Sequence, residues 1–321
     1  MKTKKLLFIS IVAITFAVFL VGGCKKKDTT TNTNPVNIAS TADGIQQTQK
    51  TSDQSDAENG SNQAMDDCNS AMQGVSTTRS IQTTYCNMTI DSSNGSHGTL
   101  VLTYNGNDCN NLTNRTGTIT VQLPYANGHV TTWSTPGVTA SLTFTNFKVT
   151  NLASNKSITY NGIHRVTNVN GGGLVQLYLG TPIVNKVRAA MQLTYSDSTT
   201  RSWNVATTRT LSSVAYSGIV KATTAGDTVL AGHNHVAFWG VNRINESFTI
   251  DMPTSFSYMV YGTTCLYKPQ TGVIVFYGVA HSLTLTYGVD ANGNATTACP
   301  YGYKFSWVDG NGASQQIVLA Y

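Results

Sequence analysis

TLVLTYNG, residues 99–106, decides the fold. Leu100, Leu102 and Tyr104 alternate with Thr99, Val101 and Thr103, so an extended chain places the first set on one face and the second on the other. The same period of two returns where Ile119, Val121 and Leu123 alternate with Thr118, Thr120 and Gln122, and again in Val138, Ala140, Leu142 and Phe144 and in Phe248, Ile250 and Met252. One apolar face and one Thr-rich face is the pattern of antiparallel strands that meet a core on one side and water on the other. Asn105-Gly106, Asn127-Gly128, Asn161-Gly162, Asn292-Gly293 and Asn311-Gly312 can supply the positive φ of tight turns between such strands. No strand–helix alternation interrupts them. The expectation is an all-β body over residues 75–321, an antiparallel β-sandwich or large meander built from hairpins, as one large or two stacked units. Leu-Thr-Tyr recurs at 102–104, 193–195 and 285–287, and residues 162–166 (GIHRV) resemble 240–244 (GVNRI), matches that fit a weak internal repeat.

Upstream of the body the period changes. Ala57, Ala64, Met65, Cys68, Ala71 and Met72 recur at helical spacing and Gly74 can end the run, which predicts one helix over 53–74 with a narrow stripe of small side chains. Residues 24–52 are polar, carry Pro35 and almost no large apolar residue, and read as a flexible tether. Before them stand Lys2, Lys4 and Lys5, an apolar run from Leu6 to Val21, and Gly22-Gly23-Cys24. A positive start, an apolar run too short to span a bilayer comfortably and small residues before a cysteine mark residues 1–23 as a lipoprotein signal peptide, with Cys24 the lipidation site and new N-terminus. Two or more acyl chains would anchor it stably, at about 0.8 kcal/mol per buried CH₂.

Charge excludes one class of partner. The chain carries +5 formally, but three lysines leave with the signal and three sit beside Cys24. Residues 28–74 hold seven acids against Lys50, and 75–321 hold thirteen Lys and Arg against eight acids, scattered without runs. That is no nucleic-acid footprint. Five cysteines remain after Cys24, and an exported, oxidising setting makes pairing the default. Cys86 with Cys109 and Cys265 with Cys299 each flank strand-like segments and close a modest loop, worth about 3–4 kcal/mol each in the chain-entropy model. Cys68, on the helical stripe, is then the odd thiol.

The runs TFTNFKVTNLASNKSITYNGIHRVTN (143–168), LTYSDSTTRSWNVATTRT (193–210), VAFWGVNR (236–243) and LTYGVDANGNATTACPYGYKFSW (285–307) resemble uncharacterised lipoproteins of Bacteroidota. The resemblance covers most of the chain after about residue 80, in the order of its hairpins and the place of Cys299. It implies an anchored lipoprotein of all-β architecture and carries no activity; Cys68 departs from it. Lys25 to Asp28 also resemble the charged export tags of surface lipoproteins in that phylum, so the expected address is the outer membrane, lipid-anchored, facing either the surface or the periplasm.

Few constellations could carry chemistry. His233 and His235 share a face on a strand and could meet one metal, with His164, His281 or Asp227 as a third ligand; solvated histidines at a turn are the simpler reading, and no metal or cofactor is expected. Carboxylates are scarce: Glu occurs only at Glu58 and Glu246, and Asp108, Asp197, Asp290 and Asp309 sit in turn-like contexts where Asp bonds its own backbone. Glu246 is the one carboxylate with a catalytic context ahead of a strand. G-x-S-x-G, H-E-x-x-H and the P-loop are absent, which disfavours enzyme activity. Trp133, Trp203, Trp239 and Trp307 lie among Thr, Asn and Arg, as sugar-binding aromatics do, although strand aromatics are more often core. Trp203, beside Arg201, is the least core-like, so Arg201 and Trp203 are the candidate binding residues. The expected function is a non-enzymatic envelope or surface lipoprotein that binds glycan, protein or matrix; the alternative is a secreted envelope hydrolase with a cleft at strand ends.

Overall fold

The computed structural model describes residues 42–75, 86–109, 111–217, 219–261, 269–278, 282–296, 299–309 and 311–320. Residues 1–23, expected as a signal peptide, and Cys24, Cys265 and His281 lie outside them. Helix α1 (Ala42–Val75) is followed by seventeen strands. They are β1 (Met88–Asp91), β2 (Thr99–Asn107), β3 (Thr113–Gln122), β4 (Tyr125–Ala126), β5 (His129–Val130), β6 (Val138–Asn151), β7 (Ser157–Asn168), β8 (Ile183–Tyr195) and β9 (Thr200–Ser213). After these come β10 (Val220–Gly226), β11 (Thr228–Leu230), β12 (His233–Val241), β13 (Ser247–Tyr261), β14 (Pro269–Tyr277), β15 (Leu283–Val289), β16 (Gly302–Val308) and β17 (Ser314–Ala320). A short helix, α2 (Leu174–Tyr178), sits between β7 and β8.

The fold is the meander rather than the sandwich. Except for the small β4–β5 hairpin, every strand belongs to one antiparallel sheet ordered β1-β2-β3-β6-β7-β8-β9-β10-β13-β14-β15-β16-β17. The slot between β9 and β13 is shared: β10 pairs with β9 over Thr207–Ser213, β12 over Ser202–Val205, and β11 pairs with β12. Alternation does what it should. Leu100, Leu102, Ile119, Val121, Leu142, Phe144, Leu193, Ile250 and Leu285 are all nearly inaccessible and belong to one cluster that runs from β1 to β16. The opposite face carries Thr103, Thr120, Thr143, Thr159 and Thr194 on these strands.

A single sheet can enclose a core only if it curls. Arg115 on β3 and Arg209 on β9 are four strand spacings apart, about 19 Å on a flat sheet, yet they face the neighbouring helix residues Asp67 and Asp66. The sheet therefore wraps around α1. Glycines inside strands allow the bend. Asn161-Gly162 is no turn but the middle of β7, where Gly162 adopts φ +140°, and Asn105-Gly106 lies within β2. The positive φ expected of these pairs is present; it serves curvature instead of chain reversal. Gly162 stands between Phe144 and Met191, and Gly240 between Trp203 and Phe248, so large neighbours cover the space that each missing side chain leaves.

α1 begins at Ala42, eleven residues before the expected start, so residues 42–52 are helix and not tether. Its buried stripe is Asp53, Gln54, Ala57, Gly60, Ser61, Ala64, Met65, Cys68, Ala71 and Met72, seven of the ten polar or tiny. Tyr160 explains why. Its hydroxyl donates to the carbonyls of Asp56 and Ala57 at 3.2 and 3.3 Å, and a Cβ on Gly60 would stand 2.3 Å from that oxygen. Glycine costs about 1 kcal/mol inside a helix; here it lets backbone and ring touch. Cys68 is a buried free thiol, Cys86–Cys109 is a disulfide with Cα atoms 5.1 Å apart, and Cys299 is disulfide-bonded, its expected partner Cys265 being outside the described residues.

Candidate functional site

α1 is held in the curled sheet by charge as much as by apolar contact. Arg115 Nη1 donates to Asp67 Oδ2 at 2.7 Å, Tyr104 Oη donates to the same oxygen at 3.1 Å, and Arg209 faces Asp66 at 3.9 Å. Arg201 donates to Gln54 Oε1 and lies 4.3 Å over the Phe248 ring. His164 Nε2 meets Ser61 Oγ at 3.3 Å, between the rings of Phe144 and Trp203. Burial holds the His164 imidazole down to about 4, so it is neutral in the fold.

These contacts correct the two sequence-level binding candidates. Trp203 is 2% exposed and stacks on Phe238 with centroids 5.8 Å apart, and Arg201 is buried beneath α1. Both belong to the core. Trp133 and Trp307 are buried too, and Trp239 is half-buried. His233 Nδ1 lies 3.2 Å from Asp251 Oδ2 with its ring against Tyr277, while His235 is exposed at φ +60°. Among the described residues no three His, Cys, Asp or Glu side chains are placed to hold a metal. His164 is in the core and Asp227 is engaged by Arg188 at 2.5 Å, so neither can join the histidine pair. Glu246 accepts from Asn242 Nδ2 at 3.1 Å across its own turn, a structural use of that carboxylate.

Concavity lies elsewhere. The turns after β2, β6, β8 and β12 gather at one rim of the curled sheet, as the pairings Thr113–Asn151, Ile158–Tyr195 and Val241–Ser202 require. α1 enters at this rim, Asp53 beside Arg243, and runs inward until Asp66 reaches Arg209, roughly 20 Å along the helix. Between helix and rim opens a cleft of about 340 Å³. Gln49, Asp56, Asn59 and Gln63 line one wall, and Asn151, Lys156, Ser157, Tyr160 and Tyr195 line the other.

Arg243 closes the cleft at one end. Its Nη1 donates to Asp53 Oδ1 at 3.0 Å, its Nε to Thr199 Oγ1 at 2.7 Å and its Nη2 to Asp197 Oδ2, with the guanidinium 4.3 Å over the Tyr195 ring. Hydrogen bonds from Thr199 keep the Asp197 carboxyl below its usual range. Desolvation pushes Asp56 up, against a stabilising bond from Ser52. The arrangement is rich in amide, hydroxyl and charged groups, with Tyr160 and Tyr195 buried in its floor, and can bind a polyhydroxylated ligand by hydrogen bonds. Sequence reasoning missed it because its residues come from α1, the ends of four strands and three turns.

Glu58 and Asp66 give the helix contact a pH signature. Burial pushes both carboxyls up to about 7, against Gln54 and Arg201 at Glu58 and against Arg209 at Asp66, where Asp67 adds to the rise. From pH 6.5 to 8 the unfolded chain has both groups ionised, while the fold releases its protons only in that interval, so stability falls as pH rises. His164, neutral in the fold and about half protonated in the unfolded chain at pH 6.5, adds a small opposing rise at the lower end of the interval only. Thermal midpoints should fall across this interval, and Glu58→Gln should flatten the fall; an unchanged slope in the variant contradicts the buried placement of Glu58.

The chain matches no family model, no curated protein and no solved structure.

Proposed function

We propose that the protein is a membrane-anchored envelope or cell-surface lipoprotein whose β body binds a glycan in the cleft between α1 and the sheet rim. The observation that carries the binding role is the cleft itself: amides, hydroxyls and two tyrosines line it, and no apolar wall dominates. The anchor rests on residues 1–24, whose Lys-rich start, apolar run and Gly22-Gly23-Cys24 ending suit lipid transfer to Cys24. The outer membrane as its address, facing outward or toward the periplasm, rests on the resemblance to Bacteroidota lipoproteins.

A glycan array probed with residues 25–321, the chain without its signal and lipidated cysteine, tests the binding role. Selective binding that Gln63→Ala, a partly exposed cleft residue on α1, weakens by about tenfold, or roughly 1.4 kcal/mol, supports it. A blank array overturns it. One observation favours a second reading, a hydrolase: Asp53 and Asp56 share the strand-end cleft on one helix face, and Asp56 is raised as a proton donor must be. Turnover of a bound glycan, abolished by Asp56→Asn with binding kept, would establish that reading.

A further inference from the structure

The far rim of the curled sheet differs from the rim that holds the cleft. Twelve large hydrophobic side chains are exposed among the described residues, and eight of them stand in or beside the loops at the far rim. All four tyrosines exposed among the described residues are there: Tyr125, Tyr178, Tyr216 and Tyr301. Among the described residues the cleft rim shows only Leu112, Leu152 and Ile244.

The far-rim patch is built, not incidental. Tyr178 and Tyr216 meet edge to face at 5.5 Å, Tyr216 N donates to the Tyr178 carbonyl at 3.0 Å, and Ser213 Oγ donates to the Leu177 carbonyl, so α2 and the β9–β10 turn are fastened together. On them Val175, Val214 and Tyr216 are each about two-thirds exposed. No charged residue occurs in 170–182 or 211–220. Just behind stand two exposed cations: Lys221, the second residue of β10, and Lys186, the fourth of β8, which lies 3.7 Å from Asp227 Oδ2.

We propose that this rim rests on an anionic lipid surface. Tyrosine rings prefer the water–hydrocarbon boundary, uncharged aliphatic tips gain by entering it, and lysines set back from the tips meet phosphates. A glycan would use the rings and hydrogen-bonding groups but leave Val175 and Val214 in water, so the aliphatic tips decide for lipid. The rim lies at the opposite end from the start of α1, and the stretch between Cys24 and Ala42 reaches at most about 60 Å when extended. The contact is therefore additional to an N-terminal anchor, and it does not rest on lipidation of Cys24 or on glycan binding.

The test is vesicle co-sedimentation of residues 25–321, which contain every described element and lack both signal and Cys24. Vesicles of phosphatidylcholine mixed with phosphatidylglycerol should bind it, and pure phosphatidylcholine should bind it more weakly. Val214→Asp should cut the partition coefficient by more than about tenfold, and Lys221→Glu by about fivefold on the anionic vesicles alone. Tyr178→Ser, on the exposed face of α2, should act in the same direction as Val214→Asp, with the circular dichroism of each variant unchanged. The proposal is overturned by absence of binding to either vesicle, by binding that neither Val214→Asp nor Tyr178→Ser reduces, or by a soluble glycan bound through these residues in place of vesicles.

Discussion

Trp203→Ala should destabilise the protein by about 3–5 kcal/mol, the cost of emptying a fully buried aromatic site. The indole stacks on Phe238, faces His164 and lies against Gly240, whose lack of a side chain leaves the space that the ring fills. The sheet cannot collapse into the gap without changing its curvature. Denaturant unfolding followed by tyrosine fluorescence and circular dichroism measures the loss. Because Trp203 is 2% exposed, the same variant should bind any cleft ligand as the wild type does at temperatures where it remains folded. Loss of binding without loss of stability would restore Trp203 as a recognition residue.

Gly162→Val should be at least as damaging. Gly162 holds φ +140°, which a β-branched residue adopts only with strain, and a Cβ there would stand 2.3 Å from the Ala190 carbonyl oxygen on β8. Strain and overlap together should exceed about 3 kcal/mol. The expected outcome is a chain recovered mainly as aggregate, or one whose unfolding midpoint falls far below that of the wild type. A variant as stable as the wild type would show that β7 does not bend at this position. Gly128→Val is the contrast: that glycine also has positive φ, but it lies in the β4–β5 turn with nothing within 4 Å of its Cβ, so only the backbone term applies.

Much of the architecture is legible in residue order. Leu100, Leu102 and Tyr104 point to a strand, and they stand buried on β2; Ile119 and Val121 do the same on β3. The stripe from Ala57 to Met72 locates a helix. Its docking through Asp53 and Gln54 is invisible to a hydrophobic reading because their partners Arg243 and Arg201 lie 190 and 147 residues away. The same remoteness misplaces Arg201 and Trp203. An arginine beside a tryptophan looks like surface until a distant helix covers both. Asn161-Gly162 looks like a turn because local sequence shows the positive φ but not the neighbouring strands that make it a bend inside β7.

The cleft is legible only in space. Its tyrosines are apolar-face residues of ordinary strands, its amides are helix and turn residues, and nothing in their spacing brings Asn59 opposite Ser157. The balance of charge is easier to read. Six of the seven acids upstream of residue 75 lie on α1, and in the fold this acidic helix is met by Arg115, Arg201 and Arg209 of the sheet and by Arg243 in the turn after β12.

The central claim is that this cleft, between α1 and the rim of one curled sheet, is the place where the protein binds. Calorimetric titration of residues 25–321 with the strongest glycan from an array, set against the Asn59→Arg variant, tests it most directly. Asn59 lines the cleft and is only partly buried on α1, so the longer side chain should fill the space and leave the fold unchanged. Saturable binding to the wild type that falls by more than about tenfold in Asn59→Arg is the predicted result. Equal affinity in the two proteins, each with an unaltered unfolding midpoint, would contradict it.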